Sequence, residues 1–489
     1  MTEHLSCRFI LSRHSSAMKL SLITLASLAC AASASHAGGR TMEYLMSLKS
    51  QSRERARGQG LFNLNRYPNE GRKKCRRGKA GEYSCENVDL LSFLSHQALG
   101  SVTREGNDVW GWSSVDGREF GVVGQTDGVA FVEILEDGSL EYLGRLASQT
   151  EPSVWRDIKV IGDHAYIGSE APGHGLQIFD LKKLLKVDSW KPVNFSIHDD
   201  LTGWYTGFGS SHNIVAHEET NTIYAVGTAR NLTCAGGLWI VDVSDPANPT
   251  SPGCANEDGY VHDAQCVIYK GPDERYIGQE ICFNYNEDTL TIVDVTDKTS
   301  PIQLSKTPYV GASYTHQGWL VDPEDHSYLL LDDELDEVDG TGSAANGHTT
   351  TYIFDVKDLT APKHTGIYQS PQRSIDHNQY TLDGLTYQSN YGSGLRIVDV
   401  SSVFEDPTGG SFKEVGSFDV HPEDDAIGGE VEFVGSWSVY PYFKSGHILL
   451  NSIERGIYTL KYTGPAAGGK PGKPGKPGKP GRPGRPGRN

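Results

Sequence analysis

"LWIVDVSDPANP", Leu238–Pro249, is a strand that runs into a turn. Trp, Ile and Val favour a half-buried pleated surface, and Asp-Pro followed by Asn-Pro is turn chemistry. The phrase returns in altered form along the chain: GVAFVEI at 128–134, GLQIFDL at 175–181, GLWIVDV at 237–243, TLTIVDV at 289–295, TTYIFDV at 350–356, GLRIVDV at 394–400 and RGIYTLK at 455–461. The seven copies centre on Glu133, Asp180, Asp242, Asp294, Asp355, Asp399 and Thr459, a period of about 54 residues.

Such a period marks a repeat architecture, and the sequence between copies says which. In 261–297, AQCVIY and RYIGQEICF are strand-like runs around the turn KGPDE, NYNED is a second turn, and TLTIVDV is a third strand. A weaker fourth strand, PIQLSKT, follows the turn after the aspartate. Four antiparallel strands per unit make one propeller blade, and a lone sheet of this kind cannot cover both its faces. Seven such units fill 85–462. The expected fold is all-β: a seven-bladed β-propeller of four-stranded antiparallel blades, with a short N-terminal arm and a disordered basic C-terminal tail. Helical periodicity is scarce, and MEYLMSLKSQSRERARG, 42–58, is the best helix candidate.

The 489 residues carry a formal net charge of -18, unevenly placed. Residues 38–79 hold twelve Lys or Arg against three acids, and the last twenty residues hold seven against none, which leaves -36 on 80–468. An acidic body with two basic arms fits arms that meet a polyanion or fold back on the body. Lys19, the apolar run LSLITLASLACAA and the small residues of SASHA read as a secretory signal cleaved after Ala37, with Met18 as the true start. The expected divisions are 1–37 signal peptide, 38–84 basic N-terminal arm, 85–462 propeller and 463–489 Gly-Lys/Arg-Pro tail. The run in the leader is too short to span a membrane, and the expected location is extracellular or cell-wall associated. Dibasic runs in the arm also fit processing of a propeptide.

Secretion makes cysteines readable as disulfides. Cys75, Cys85, Cys234, Cys254, Cys266 and Cys282 remain after the leader and allow 15 pairings, of which sequence neighbours are the simplest. Asn194 and Asn231 stand in glycosylation sequons. The tail places Gly at every third residue, with Lys470, Lys473, Lys476, Lys479, Arg482, Arg485 and Arg488 between. An extended basic strip of this kind suits a cell-wall or matrix polyanion, and secretion argues against nucleic acid.

Counting back from the repeat marks aligns the starts of the blades. Trp110, Asp157, His377 and Trp437 lie 22 or 23 residues before their marks, and His212, His262 and His316 lie 30 to 39 before theirs, across longer hairpin loops. The aligned positions read Trp, Asp, His, His, His, His, Trp. First strands line a propeller axis, so these side chains are expected at one mouth of the channel. Four imidazoles with Asp157 and Asp263 form a candidate site for a divalent metal ion, with Glu170, Glu280 and Asp333 as further acids facing the same mouth. The competing reading makes each His a hydrogen-bonded latch. There is no GxSxG, HExxH or P-loop. The acidic run DDELDEVDGTG, 332–342, has oxygen ligands for Ca²⁺ but lacks EF-hand spacing, and a solvated loop is the favoured reading. Trp110, Trp112, Trp155, Trp319 and Trp437 suit packing between blades or stacking on sugars.

CENVDLLSFL, NDVWGW, SHNIV, GYVHDAQCVIYKGPDERY, QEICFNYNEDTLTIVDVTD, THQGWL, DHNQY and GLRIVDV resemble the choice-of-anchor B family, whose blades are LVIVD repeats. The resemblance spans roughly 85–462. It implies a secreted seven-bladed propeller followed by a variable C-terminal anchor, the place of the basic tail here, and implies no reaction. Two functions follow. One is an extracellular binding or scaffold protein, with a protein or glycan on its acidic body and its tail on an anionic wall or matrix. The alternative is a metal-dependent hydrolase or oxidoreductase working through the His cluster.

Overall fold

The computed structural model describes residues 42–469. The expected leader, 1–37, and the basic positions of the tail, Lys470 to Arg488, lie outside the described residues. Seven sheets of four to six strands form a β-propeller; the four strands of each blade pair antiparallel, and Val193–Phe195 adds a parallel strand at the edge of blade 1. Blade 4 is typical: Asp263–Ile268, Glu280–Tyr285, Thr289–Asp294 and Ile302–Pro308 pair in sequence order, innermost first. Blade 7 takes its outermost strand from the other end of the chain, since Val88–Ser95 pairs with Gly456–Tyr462. That splice closes the ring and removes the edges that an open array would expose.

The repeated aspartate has a local task. Asp242, Asp294, Asp355 and Asp399 each accept the backbone N–H two residues on, at 2.9, 2.9, 3.0 and 3.1 Å. This turn stops the third strand and reverses the chain into the fourth. Asp180 does the same for Lys182 N–H and opens a short 3-10 helix. The apolar residues around each mark fill the space between blades: Phe131 of blade 1 stacks on Phe179 of blade 2 at 4.7 Å, and both are buried.

Disulfides join Cys75–Cys85, Cys234–Cys254 and Cys266–Cys282. The last ties directly opposed residues of the two inner strands of blade 4. Asn194 and Asn231 are exposed. Among the described residues no helix is long and apolar enough to cross a membrane.

The basic arm folds back on the body. Tyr83–Glu86 and Lys79–Ala80 extend blade 6 beyond its fourth strand. Ahead of them, helix α1, Met42–Gly58, buries Met42, Leu45, Lys49, Ser52, Arg53 and Ala56. Its cations meet acids of the propeller: Arg53 and Arg57 hold Glu105 at 2.7 and 2.6 Å, and Arg55 forks onto Glu432. The positive arm thereby neutralises part of the acidic body.

Candidate metal centre at the propeller axis

His212, His262, His316 and His377 open the innermost strands of blades 3 to 6 or sit at their first bulge. Their rings follow one another at centroid distances of 4.1, 4.1 and 4.5 Å, and Trp437 of blade 7 continues the arc 5.0 Å from His377. At the other end stands Trp155, 6.2 Å from His212. Asp157, aligned from sequence, is two residues too far along to join the rings. Trp110 is also displaced. The first strand of blade 1 bulges between Gly106 and Val109, so Trp110 packs deeper, against Tyr380 and Tyr440.

One pattern sets the imidazole orientations. Nδ1 of His262, His316 and His377 lies 2.9, 2.8 and 2.6 Å from the carbonyl oxygen of the next residue in the arc: His316, His377 and Trp437. A carbonyl only accepts, so Nδ1 carries the hydrogen and Nε2 keeps its lone pair. Nδ1 of His212 meets the Glu170 carboxylate at 2.6 Å. Burial first, then the neighbouring imidazoles and the Lys49 ammonium, hold His262, His316 and His377 well below the usual imidazole range. All three are neutral imidazoles at physiological pH.

Glu334 completes the group, and sequence reasoning missed it. It follows the second strand of blade 5, one residue beyond Asp333. Its Oε2 lies 3.6 Å from His316 Nε2 and has no hydrogen-bond partner, and neither has His262 Nε2. The ligand atoms of His262, His316 and Glu334 all lie within 4.8 Å of one another in fully buried surroundings. Two donors about 2.1 Å from one ion sit about 3–3.5 Å apart, close to the 3.6 Å between His316 Nε2 and Glu334 Oε2. The other oxygen, Oε1, takes the Tyr391 hydroxyl at 2.5 Å and the Lys49 ammonium at 2.7 Å, with His377 Nε2 at 3.6 Å. The nearest sequence signal was Glu170, which occupies the corresponding exit in blade 2 and was placed at the mouth.

The other predicted acids serve elsewhere. Asp157 pairs with Lys159 Nζ at 2.7 Å and accepts Ile214 N–H, while Asp263 accepts Ala264 N–H. With Asp108 they form a separate layer around the buried Lys159, and burial pushes the Asp263 carboxyl up to about 7. Glu280 begins its strand rather than ending it, and binds His217 and Lys298. Asp333 is consumed by the N–H groups of Ser313 and Tyr314.

Helix α1 closes the mouth. Lys49 Nζ lies 4.8 Å from the Trp437 ring centre and 5.6 to 5.8 Å from those of Trp155, Phe433 and Tyr391. Four aromatic faces and one carboxylate hold this ammonium out of water. Tyr391 reaches Glu334 from a backbone at φ +25°, a strained position for a bulky residue.

The sequence profile of the LVIVD repeat matches residues 234–254 and 283–306. The chain carries LVIVD repeats. The matched segments span the third strands of blades 3 and 4 and the Asp turns that follow them. No curated protein matches the chain. Among solved structures, a protein from Lactobacillus plantarum is similar over 71% of this chain and 89% of its own, at 13% identity and a TM-score of 0.44. The matches fall in blades 3 and 4, and the His arc lies on first strands outside the matched segments.

Proposed function

We propose that this is a secreted metalloprotein, and that the axial centre binds a divalent transition metal ion through His262, His316 and Glu334 for hydrolase or oxidoreductase chemistry. One observation carries the reading: two buried ligand atoms, His262 Nε2 and Glu334 Oε2, have no partner and face the same point as His316 Nε2. Leaving such atoms bare costs about 1–3 kcal/mol each, and an ion relieves both. Two imidazoles and a carboxylate are the donor set of hydrolytic zinc and of non-haem iron, which activate water or dioxygen respectively. The chain holds the Nδ1 hydrogens away from the ion, and Tyr391 and Lys49 fix Glu334 by its other oxygen. The three disulfides support an oxidising compartment.

Elemental analysis of the full chain tests this. Close to one equivalent of a transition metal is expected, lost in both His262→Ala and His316→Ala. A metal-free wild type that takes up no zinc, manganese or iron overturns it.

The binding or scaffold reading keeps one observation in its favour: α1 seals the centre. On that reading the imidazoles are latches, and the tail attaches the protein to an anionic wall or matrix. Tail binding is then expected to weaken with salt and vanish on truncation after Gly468.

A further inference from the structure

The loop that carries Glu334 continues into short helix α2, Asp336–Asp339, and its acids are not solvated. Asp336 and Glu337 are buried, at 0% and 4% exposure. Each spends one oxygen on the protein: Asp336 Oδ2 accepts the Tyr352 hydroxyl at 2.7 Å, and Glu337 Oε1 accepts Thr350 N–H at 2.9 Å. Their second oxygens, Oδ1 and Oε2, accept from no protein donor, and the two carboxyls lie within reach of one another.

A third carboxylate arrives from blade 6. Asp376, immediately before His377, is fully buried, and neither of its oxygens has a hydrogen-bond partner. Its ligand atoms and those of Asp336 and Glu337 lie within 4.8 Å of one another. The strongest charges acting on the three are other carboxylates, including Asp332 and Asp333. Three buried acids with four open oxygens and no neutralising base are very costly to ionise together, and a cation between them relieves that cost.

We propose that Asp336, Glu337 and Asp376 bind a calcium-class divalent cation, separate from the axial centre. An all-oxygen, carboxylate-rich donor set selects hard cations. Such an ion clamps the 332–339 loop of blade 5 to the entry of blade 6, the two segments that present Glu334 and His377 to the axis. Its role is positional.

The test uses the full chain, stripped with EGTA and titrated with CaCl2. Calcium at saturating concentration is expected to raise Tm by about 3 °C or more. Asp376→Asn and Glu337→Gln, close to isosteric with the native residues, are expected to fold and to lose that response. Asp376→Asn is expected to keep its transition metal, and His262→Ala to keep its calcium response, so the two centres fail independently. No bound calcium and no Tm change in the wild type overturns the proposal, as does an unaltered calcium response in both carboxamide variants. In those cases the three carboxyls share protons in place of an ion.

Discussion

Asp242 shows how a single side chain can set a repeat. Its carboxylate accepts Ser244 N–H at 2.9 Å from an exposed position, so its contribution is local. Asp242→Ala is expected to lower unfolding free energy by about 1 kcal/mol, read by chemical denaturation, with the blade otherwise unchanged. The histidines obey a different rule. His262, His316 and His377 are each oriented by the backbone of the next blade, and His212 by the Glu170 carboxylate of the blade before it, so their common direction depends on how the blades meet. Glu334 was illegible for this reason: the adjacent Asp332 and Asp333 are equally acidic, and only the strand's end decides which carboxylate reaches the axis.

At the scale of elements, the N-terminal helix is the decisive one. Its amphipathic pattern was legible, but its docking partner was not, because Lys49 and Arg53 look like solvated cations in a basic run. In the fold both are buried against carboxylates. Arg53 also donates to the Phe433 carbonyl at 2.6 Å. Arg53→Ala leaves Glu105 partly unpaired in a buried place, a type of loss that costs about 3–5 kcal/mol. Amides of 42–58 are expected to exchange at least about tenfold faster in this variant, with blade strands unaffected, as measured by hydrogen exchange. Exchange rates equal to wild type would mean that α1 is held by its apolar face alone.

The whole molecule stakes its stability on the splice between blades 7 and 1. His96 sits there, fully buried, its Nε2 2.6 Å from the Ser452 carbonyl oxygen. Burial lowers its pKa to about 4. The folded state therefore resists a proton that the unfolded chain binds near pH 6.5. Stability from this group is fully present above pH 6.5 and is lost as pH falls towards 4, by about 3 kcal/mol in all. Buried carboxylates titrate in the opposite sense: Asp263, Asp419 and Glu454 are pushed up to about 7, and favour the fold as pH drops. The difference between wild type and His96→Gln isolates the imidazole. Wild type is expected to lose its advantage over the variant between pH 6.5 and 4, measured by denaturation at each pH. An advantage constant across that range would remove His96 from the acid response.

The sequence by itself determined the blade, the number of blades and the alignment of four histidines, because strand alternation repeated seven times and an Asp turn repeated five times are local physics. Only the tertiary structure decided what meets at the axis. A bulge moved Trp110 out of the arc, and side-chain direction alternates at every residue of a strand, so a one-residue slip changes the face entirely; in blade 2 Trp155 takes the place two residues before Asp157. Burial then gave the acidic loop and the basic helix meanings that their charge patterns concealed, since a charge withdrawn from water must find a partner, and that partner lies in another blade.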